Sequence, residues 1–338
     1  MKSTKTKLFA ASMLVLLLTN IGAAFGQSSY FELTDKAMEL YKAGKYDEAG
    51  SSFSKSIALN GGVATLNDRY NAACIWSLAQ KPDLAFAQLN QIASGKGMIK
   101  GWDDPADYYK MLINDKDLTN LHQDKRWEKI VSAALLKKEQ YEITVRNPLA
   151  NELEDIRKKD QDLRLELDKL RKKNGPNSND EKELWKTINV LDSVNLARVS
   201  KIIDENGWLS PQKIGYRGNQ TLFLVIQHAK LNTQEKYLPV MKKAAKKGAA
   251  LTRDLALLED RVAMRTGKKQ IYGSQTTIDK VSGLFYLYPV EDPDHLDERR
   301  AKVGLESITD YLKSFNVKWD LEAYKKELPA LEMKFKKN

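Results

Sequence analysis

One cysteine, Cys74, occurs among 338 residues, and a single thiol excludes an internal disulfide. Stability must therefore come from packing. The cysteine also lies far from the N-terminal region, which excludes a lipid-modified cysteine at a processed N-terminus. Histidine is nearly as scarce, with three scattered residues, and no cysteine pair accompanies them. A dedicated transition-metal site is therefore not expected, and no cofactor is implied. The chain has no His-Glu-x-x-His zinc helix, no Gly-x-Ser-x-Gly elbow and no phosphate-binding glycine loop followed by Lys-Ser/Thr. After the first residues no stretch is apolar enough to span a membrane.

The N-terminus has the form of an export signal. Lys2, Lys5 and Lys7 make a basic start, Leu8 to Leu18 an apolar centre, and Ile21-Gly22-Ala23-Ala24-Phe25-Gly26 a small-residue end. Ala24 and Gly26 suit the −3 and −1 positions of a cleavage site, so residues 1–26 read as a signal peptide. The mature protein is expected in the periplasm or outside the cell, with no transmembrane span after cleavage. Removing three lysines takes the net charge from +10 to 10 − 3 = +7. The basic residues are interspersed with acids, and an exported protein rarely meets nucleic acid, so no nucleic-acid partner is expected. Lys242, Lys243, Lys246 and Lys247 form one cluster. It reads best as the solvated face of a helix whose other side carries Leu238, Met241 and Ala245.

Two regions of different character follow. Residues 30–60 show a helix, a tight turn at Gly44 and a second helix, with Ala37, Tyr46, Ala49, Phe53 and Ser56 at the close-approach and filling positions. A second unit carries Ala73, Trp76, Ala85, Leu89 and Ile92, with Lys81-Pro82-Asp83 at its turn instead of glycine. Asp117-Leu118-x-x-Leu121 and Arg126-Trp127-x-x-Ile130 look like a closing unit. Residues 29–140 thus resemble a short tetratricopeptide-repeat array, and that resemblance implies a helix-pair solenoid with a concave surface for a protein or peptide partner. Cys74, between Ala73 and Ile75, reads as a buried small hydrophobe.

Asn147-Pro148 breaks the preceding helix and opens a second domain, residues 148–325. Leu149, Leu153, Ile156, Leu163, Leu167 and Leu170 form a helical seam interrupted at Asp160. On the next helix Leu184, Ile188, Leu191, Val199 and Ile202 form another, interrupted at Asn195. Arg164 lies one turn from Asp160 on the same face. An apolar helix from Leu222 then ends in Gln227-His228, the one histidine in a strongly apolar context. Another helix ends in Asp260-Arg261-Val262. It is followed by the glycine-punctuated loop Gly267 to Gln275, which presents Gln270, Tyr272 and Gln275 as hydrogen-bonding groups. A hairpin is expected from Gln275 to Val290, turning at Ser282-Gly283, and then a last helical pair with Arg299-Arg300.

In this order and spacing these segments resemble an uncharacterised bacterial domain family. Its marks are Asp-Gln-x-x-Arg, an Asp-x-x-Asn helix followed by a Gly-Trp turn, Gln-His, Asp-Arg-Val, Gly-x-x-Gln-x-Tyr-Gly-x-Gln and Arg-Arg. Ser274 stands where threonine is expected, and Lys230 where an acid is common. The resemblance implies a shared polar site and carries no activity. The fold class expected is mostly α: a tetratricopeptide-like helix-pair solenoid followed by an α-helical domain with a small β-hairpin.

The first functional reading is an exported protein-binding or scaffolding repeat protein whose C-terminal domain holds a small polar or anionic ligand. The alternative is a hydrolase or transferase acting on an anionic or hydroxylated substrate. In it His228 is the general acid or base, Asp160 or Asp260 orients it, and Arg164, Arg261 or Arg299 stabilises negative charge. Gln161, Asn195, Gln227, Gln270, Tyr272 and Gln275 complete the ligand-binding set. A third reading makes these residues a structural network that specifies the fold. If there is a site, His228, Asp160, Arg261 and the loop from Gln270 to Gln275 are expected to converge on one concavity, and His228 lying far from both Asp160 and Gln275 would remove the enzyme reading.

Overall fold

The computed structural model describes residues 29–99, 101, 104–175, 178–278 and 285–336. The expected signal segment lies outside them. Among the described residues no helix is long and apolar enough to cross a membrane.

The N-terminal region is a stack of helix pairs. Helix α1 (Tyr30–Lys42) starts at a capping box: the Glu32 amide donates to the Ser29 hydroxyl, and the Ser29 amide donates to the Glu32 carboxylate. Gly44, at φ 72°, turns the chain into α2 (Tyr46–Leu59). Ala37, Ala49 and Phe53 are buried with Ala72 and Ile75 of α3 (Leu66–Leu78), so each pair closes on the next. Gly50 lies against the Trp76 indole so closely that an added Cβ would stand 2.6 Å from the ring. The turn before α4 (Pro82–Ser94) has no glycine, and Gln80 takes the left-handed conformation at φ 56°. Helix α5 (Pro105–Asn114), a 3-10 turn (Lys116–Leu121) and α6 (Lys125–Val145) add Leu112, Leu118, Leu121 and Ile130 to the core of Trp76, Phe86 and Leu89. Cys74 is buried in this core, and burial pushes its thiol well above the usual range, which suits an inert residue.

Asn147 caps α7 (Pro148–Asn174), its side chain accepting from the Leu149 amide. Helix α8 (Asn179–Asn206) runs back along it, as three cross-helix pairs show: Glu152 with Arg198, Arg164 with Asp192, and Arg171 with Glu181. Helix α9 (Pro211–His228) kinks at Gly215 (φ 73°, ψ 164°) and packs against α7, α8, α10 (Leu231–Lys246) and α11 (Thr252–Arg265). Its Leu222, Phe223 and Ile226 lie at the centre of the domain core with Leu153, Ile202, Met241 and Leu258. His228 therefore sits at the tip of the helix that runs through the centre of this domain's core. The lysine cluster of α10 is exposed opposite buried Met241, with Lys242 Nζ 2.9 Å from Glu259.

The expected hairpin is present in shortened form. Strands β1 (Thr276–Ile278) and β2 (Phe285–Leu287) pair antiparallel, Thr276 opposite Leu287. The expected turn at Ser282-Gly283 lies outside the described residues. Helices α12 (Leu296–Val303), α13 (Ile308–Lys313) and α14 (Leu321–Lys336) close a small core around Leu287, Val290, Leu296 and Ile308. Helix α14 follows the expected last helical pair. It belongs to this core because the Tyr324 hydroxyl accepts from the Val290 amide and donates to the Tyr288 carbonyl.

Candidate functional site

Asp160 interrupts the α7 seam and is 1% exposed. A buried carboxylate needs compensating donors, and three side chains supply them. Arg164 Nη1 stands 3.0 Å from Oδ1, Gln161 Nε2 donates to Oδ2 at 2.6 Å, and His228 Nδ1 lies 3.2 Å from Oδ1. Arg164 Nη2 also reaches both carboxylate oxygens of Asp192 on α8, each at 3.0 Å. Burial pushes the Asp160 carboxyl upward. The hydrogen bond and charge of His228, with Arg164 and Gln161, outweigh it and hold the group below its ordinary value.

The His228 side chain keeps 21% of its exposure. With Nδ1 facing Asp160, a neutral ring carries its proton there and leaves Nε2 as an acceptor; among the described residues Nε2 has no partner. Two carboxylates and one guanidinium give the cluster a charge of −2 + 1 = −1, which a proton on His228 would bring to zero. The arrangement can accept a proton from a bound molecule and return it. Ligand atoms of Asp160, Asp192 and His228 also lie within 4.8 Å of one another, a spacing compatible with a cation. Arg164 already stands between the two carboxylates, so an ion there would first have to displace it.

Asp192 is the residue that sequence reading missed. It opens the Asp-x-x-Asn motif one turn before Asn195, a signal present in the sequence, but it stands outside the apolar seam that marks Asn195. Asn195 is buried, and its Nδ2 has no hydrogen-bond partner among the described residues. Of the other histidines, His122 stacks near Trp127, with ring centroids 4.5 Å apart, and His295 pairs with Asp292 in the open.

The remaining expected residues form a second group. Asp260 is fully buried on α11. Its Oδ1 accepts from the Ile271 and Tyr272 amides at 2.7 and 3.0 Å, and its Oδ2 from the Ser274 amide at 2.9 Å. Burial raises this carboxyl above its ordinary value against the pull of those amides. Gln270 Oε1 accepts from the Gln275 amide at 2.6 Å, while Nε2 donates to the Gln275 and Tyr288 carbonyls. Gln275 Nε2 donates to Ser274. Arg299 donates to the Ile271 carbonyl at 2.8 Å and to the Glu291 and Asp292 carbonyls, and Arg300 Nη1 donates to the Tyr272 carbonyl at 2.6 Å. These side chains hold the loop's own backbone. Tyr272 is half-buried, and burial pushes its phenol up to about 12. Gln227 donates weakly to the Leu257 carbonyl, at 3.4 Å, which ties the end of α9 to α11.

Direct contact thus brings together His228, Asp160, Gln161 and Arg164, while Asp260, Gln270, Gln275 and Arg299 are joined through the backbone of the loop that they hold. Among the described residues no hydrogen bond or ion pair joins the two groups. On α11, Arg261 is half-buried, donates no hydrogen bond and forms no ion pair among the described residues; its Nε is enclosed without an acceptor among them.

Residues 148–324 match a Family of unknown function (DUF6624), and the chain belongs to that family. The matched span opens at the first residue of α7 and closes at Tyr324 in α14. No curated protein and no solved structure matches the chain.

Proposed function

We propose that the C-terminal domain is a hydrolase or transferase centred on His228 and acting on an anionic or hydroxylated substrate. His228 Nε2 is the proton acceptor and donor, and Asp160 is the positioning residue that fixes the ring and its tautomer. The observation that carries this reading is the 3.2 Å contact between His228 Nδ1 and an Asp160 carboxylate already held by Arg164 and Gln161. An imidazole oriented on one side and open on the other suits proton transfer. Asp260 has no such part in this reading, since both its oxygens meet loop amides.

The stacked helix pairs are read as tetratricopeptide-type repeats that dock a protein or peptide and present the enzyme domain to it. In support, a cavity of about 490 Å³ opens between α4, α6 and the start of α9, lined by Ile92, Met98, Ala134, Tyr141 and Tyr216. The basic, apolar and small-residue order of residues 1–26 supports export to the periplasm or beyond.

The test assays the mature protein against 4-nitrophenyl phosphate, acetate and glucoside. Turnover that falls by about 10²- to 10⁴-fold in His228→Ala, with the variant folded, supports the proposal. Equal turnover in wild type and variant overturns it.

A further inference from the structure

Arg261 and Arg265 stand one turn apart on α11, and neither has an acidic partner among the described residues. The neighbouring acids are engaged elsewhere, Glu259 with Lys242 and Asp260 with the loop amides. Arg265 is exposed and donates from Nη1 to the Ala229 carbonyl at 2.7 Å, which places the pair beside the residue that follows His228. Arg261 lies deeper, within electrostatic reach of the Tyr288 and Tyr311 phenols, and its enclosed Nε points at no acceptor. Burial, and then repulsion by Arg265, make the protonated state of Arg261 less favourable than in water.

Arg261 is half-buried, and its enclosed Nε–H has no acceptor among the described residues, which costs free energy that no described hydrogen bond offsets. Arg164, Arg299 and Arg300 all have acceptors in the protein. Arg261 is the member of the arginine set whose acceptor is missing. Two guanidinium groups one helical turn apart, neither ion-paired among the described residues, match a tetrahedral dianion, whose oxygens can take several charge-assisted hydrogen bonds at once.

We propose that Arg261 and Arg265 form the receptor for a phosphoryl group carried by the ligand of this domain. This deepens the reading of His228 as the reacting group, and rests on it only for the statement that the remainder of the ligand extends toward His228. Binding of the phosphoryl group itself needs no turnover, so the two ideas fail separately.

The experiment titrates the mature protein with inorganic phosphate at constant ionic strength, following the melting temperature and binding heat. Sodium acetate serves as the monoanion control. Saturable phosphate binding is expected in wild type, weakened at least about tenfold in Arg261→Met and in Arg265→Gln, with acetate at least about tenfold weaker than phosphate. His228→Ala is expected to bind phosphate as wild type does. In phosphate-free buffer Arg261→Met is expected to melt no lower than wild type, because it removes an enclosed N–H that has no acceptor among the described residues. The proposal is overturned if wild type shows no saturable phosphate binding, if acetate binds equally, or if either arginine variant binds phosphate unchanged. It is also overturned if His228→Ala alone abolishes phosphate binding, or if Arg261→Met melts markedly lower without phosphate. A phosphate ester that binds more tightly than the free ion, through the same arginines, would identify the ester as the source of the group.

Discussion

Asp160 and His228 are separated by 68 positions in the chain, and their side chains meet at 3.2 Å where the middle of α7 passes the end of α9. The contact is possible because α9 runs through the centre of the domain and stops at His228, where Ala229 adopts an extended conformation. Arg164 and Gln161, one turn and one residue further along α7, keep the carboxylate in place from the other side.

Replacing Asp160 by asparagine should destabilise the domain by about 2–4 kcal/mol at pH 7, because Arg164 loses a buried counter-charge. Since the folded-state pKa of Asp160 is depressed, its stabilisation is present above the unfolded-state value and fades as pH falls through the folded-state value. Urea titrations should therefore show wild type and Asp160→Asn converging in acid and diverging at neutral pH. A gap independent of pH would contradict the ion-pair account.

Asp254, in the first turn of α11, is 3% exposed, and its Oδ2 lacks a hydrogen-bond partner among the described residues. Burial pushes its carboxyl up to about 7. The folded state then keeps a proton that the unfolded state has lost, so stability falls as pH rises from the ordinary carboxyl range to about 7 and levels off above it. Asp254→Asn should resemble wild type at pH 4 and be more stable by roughly 1–3 kcal/mol at pH 8. Melting curves at the two pH values check this; an Asn variant that is less stable at pH 8 would show that the charged form is held by a partner.

Asp260→Asn should disorder the loop from Ile271 to Ser274, because an amide nitrogen would face one of the three backbone N–H groups that the carboxylate now accepts. A loss of about 2–4 kcal/mol is expected, with amide exchange at Ile271, Tyr272 and Ser274 rising first. Unchanged protection at those amides would return Asp260 to the candidates for orienting His228.

The helix pairs and the break at Asn147-Pro148 were legible in the sequence because they depend on local spacing and caps: Ala37, Ala49 and Phe53 are buried as their spacing requires, and Asn147 caps α7. Asp160 could be marked because a charge in an apolar seam is visible in the periodicity. Its pairing with His228 could only be posed as a condition, since contacts across 68 positions depend on how helices cross. Asp192 escaped notice for the same reason. Only the antiparallel passage of α8 along α7 turns it toward Arg164. The Gln270–Gln275 loop shows the opposite limit: amides suited to a ligand are equally suited to a backbone, and here the backbone holds them.

The most direct measurement is the tautomer of His228, read from long-range nitrogen–proton NMR correlations and assigned with His228→Ala. In the neutral ring the account predicts the proton on Nδ1, facing Asp160, with Nε2 unprotonated and open to a substrate. A neutral ring protonated on Nε2 would mean that Asp160 does not orient it, and the proton-transfer centre proposed for this domain would be contradicted.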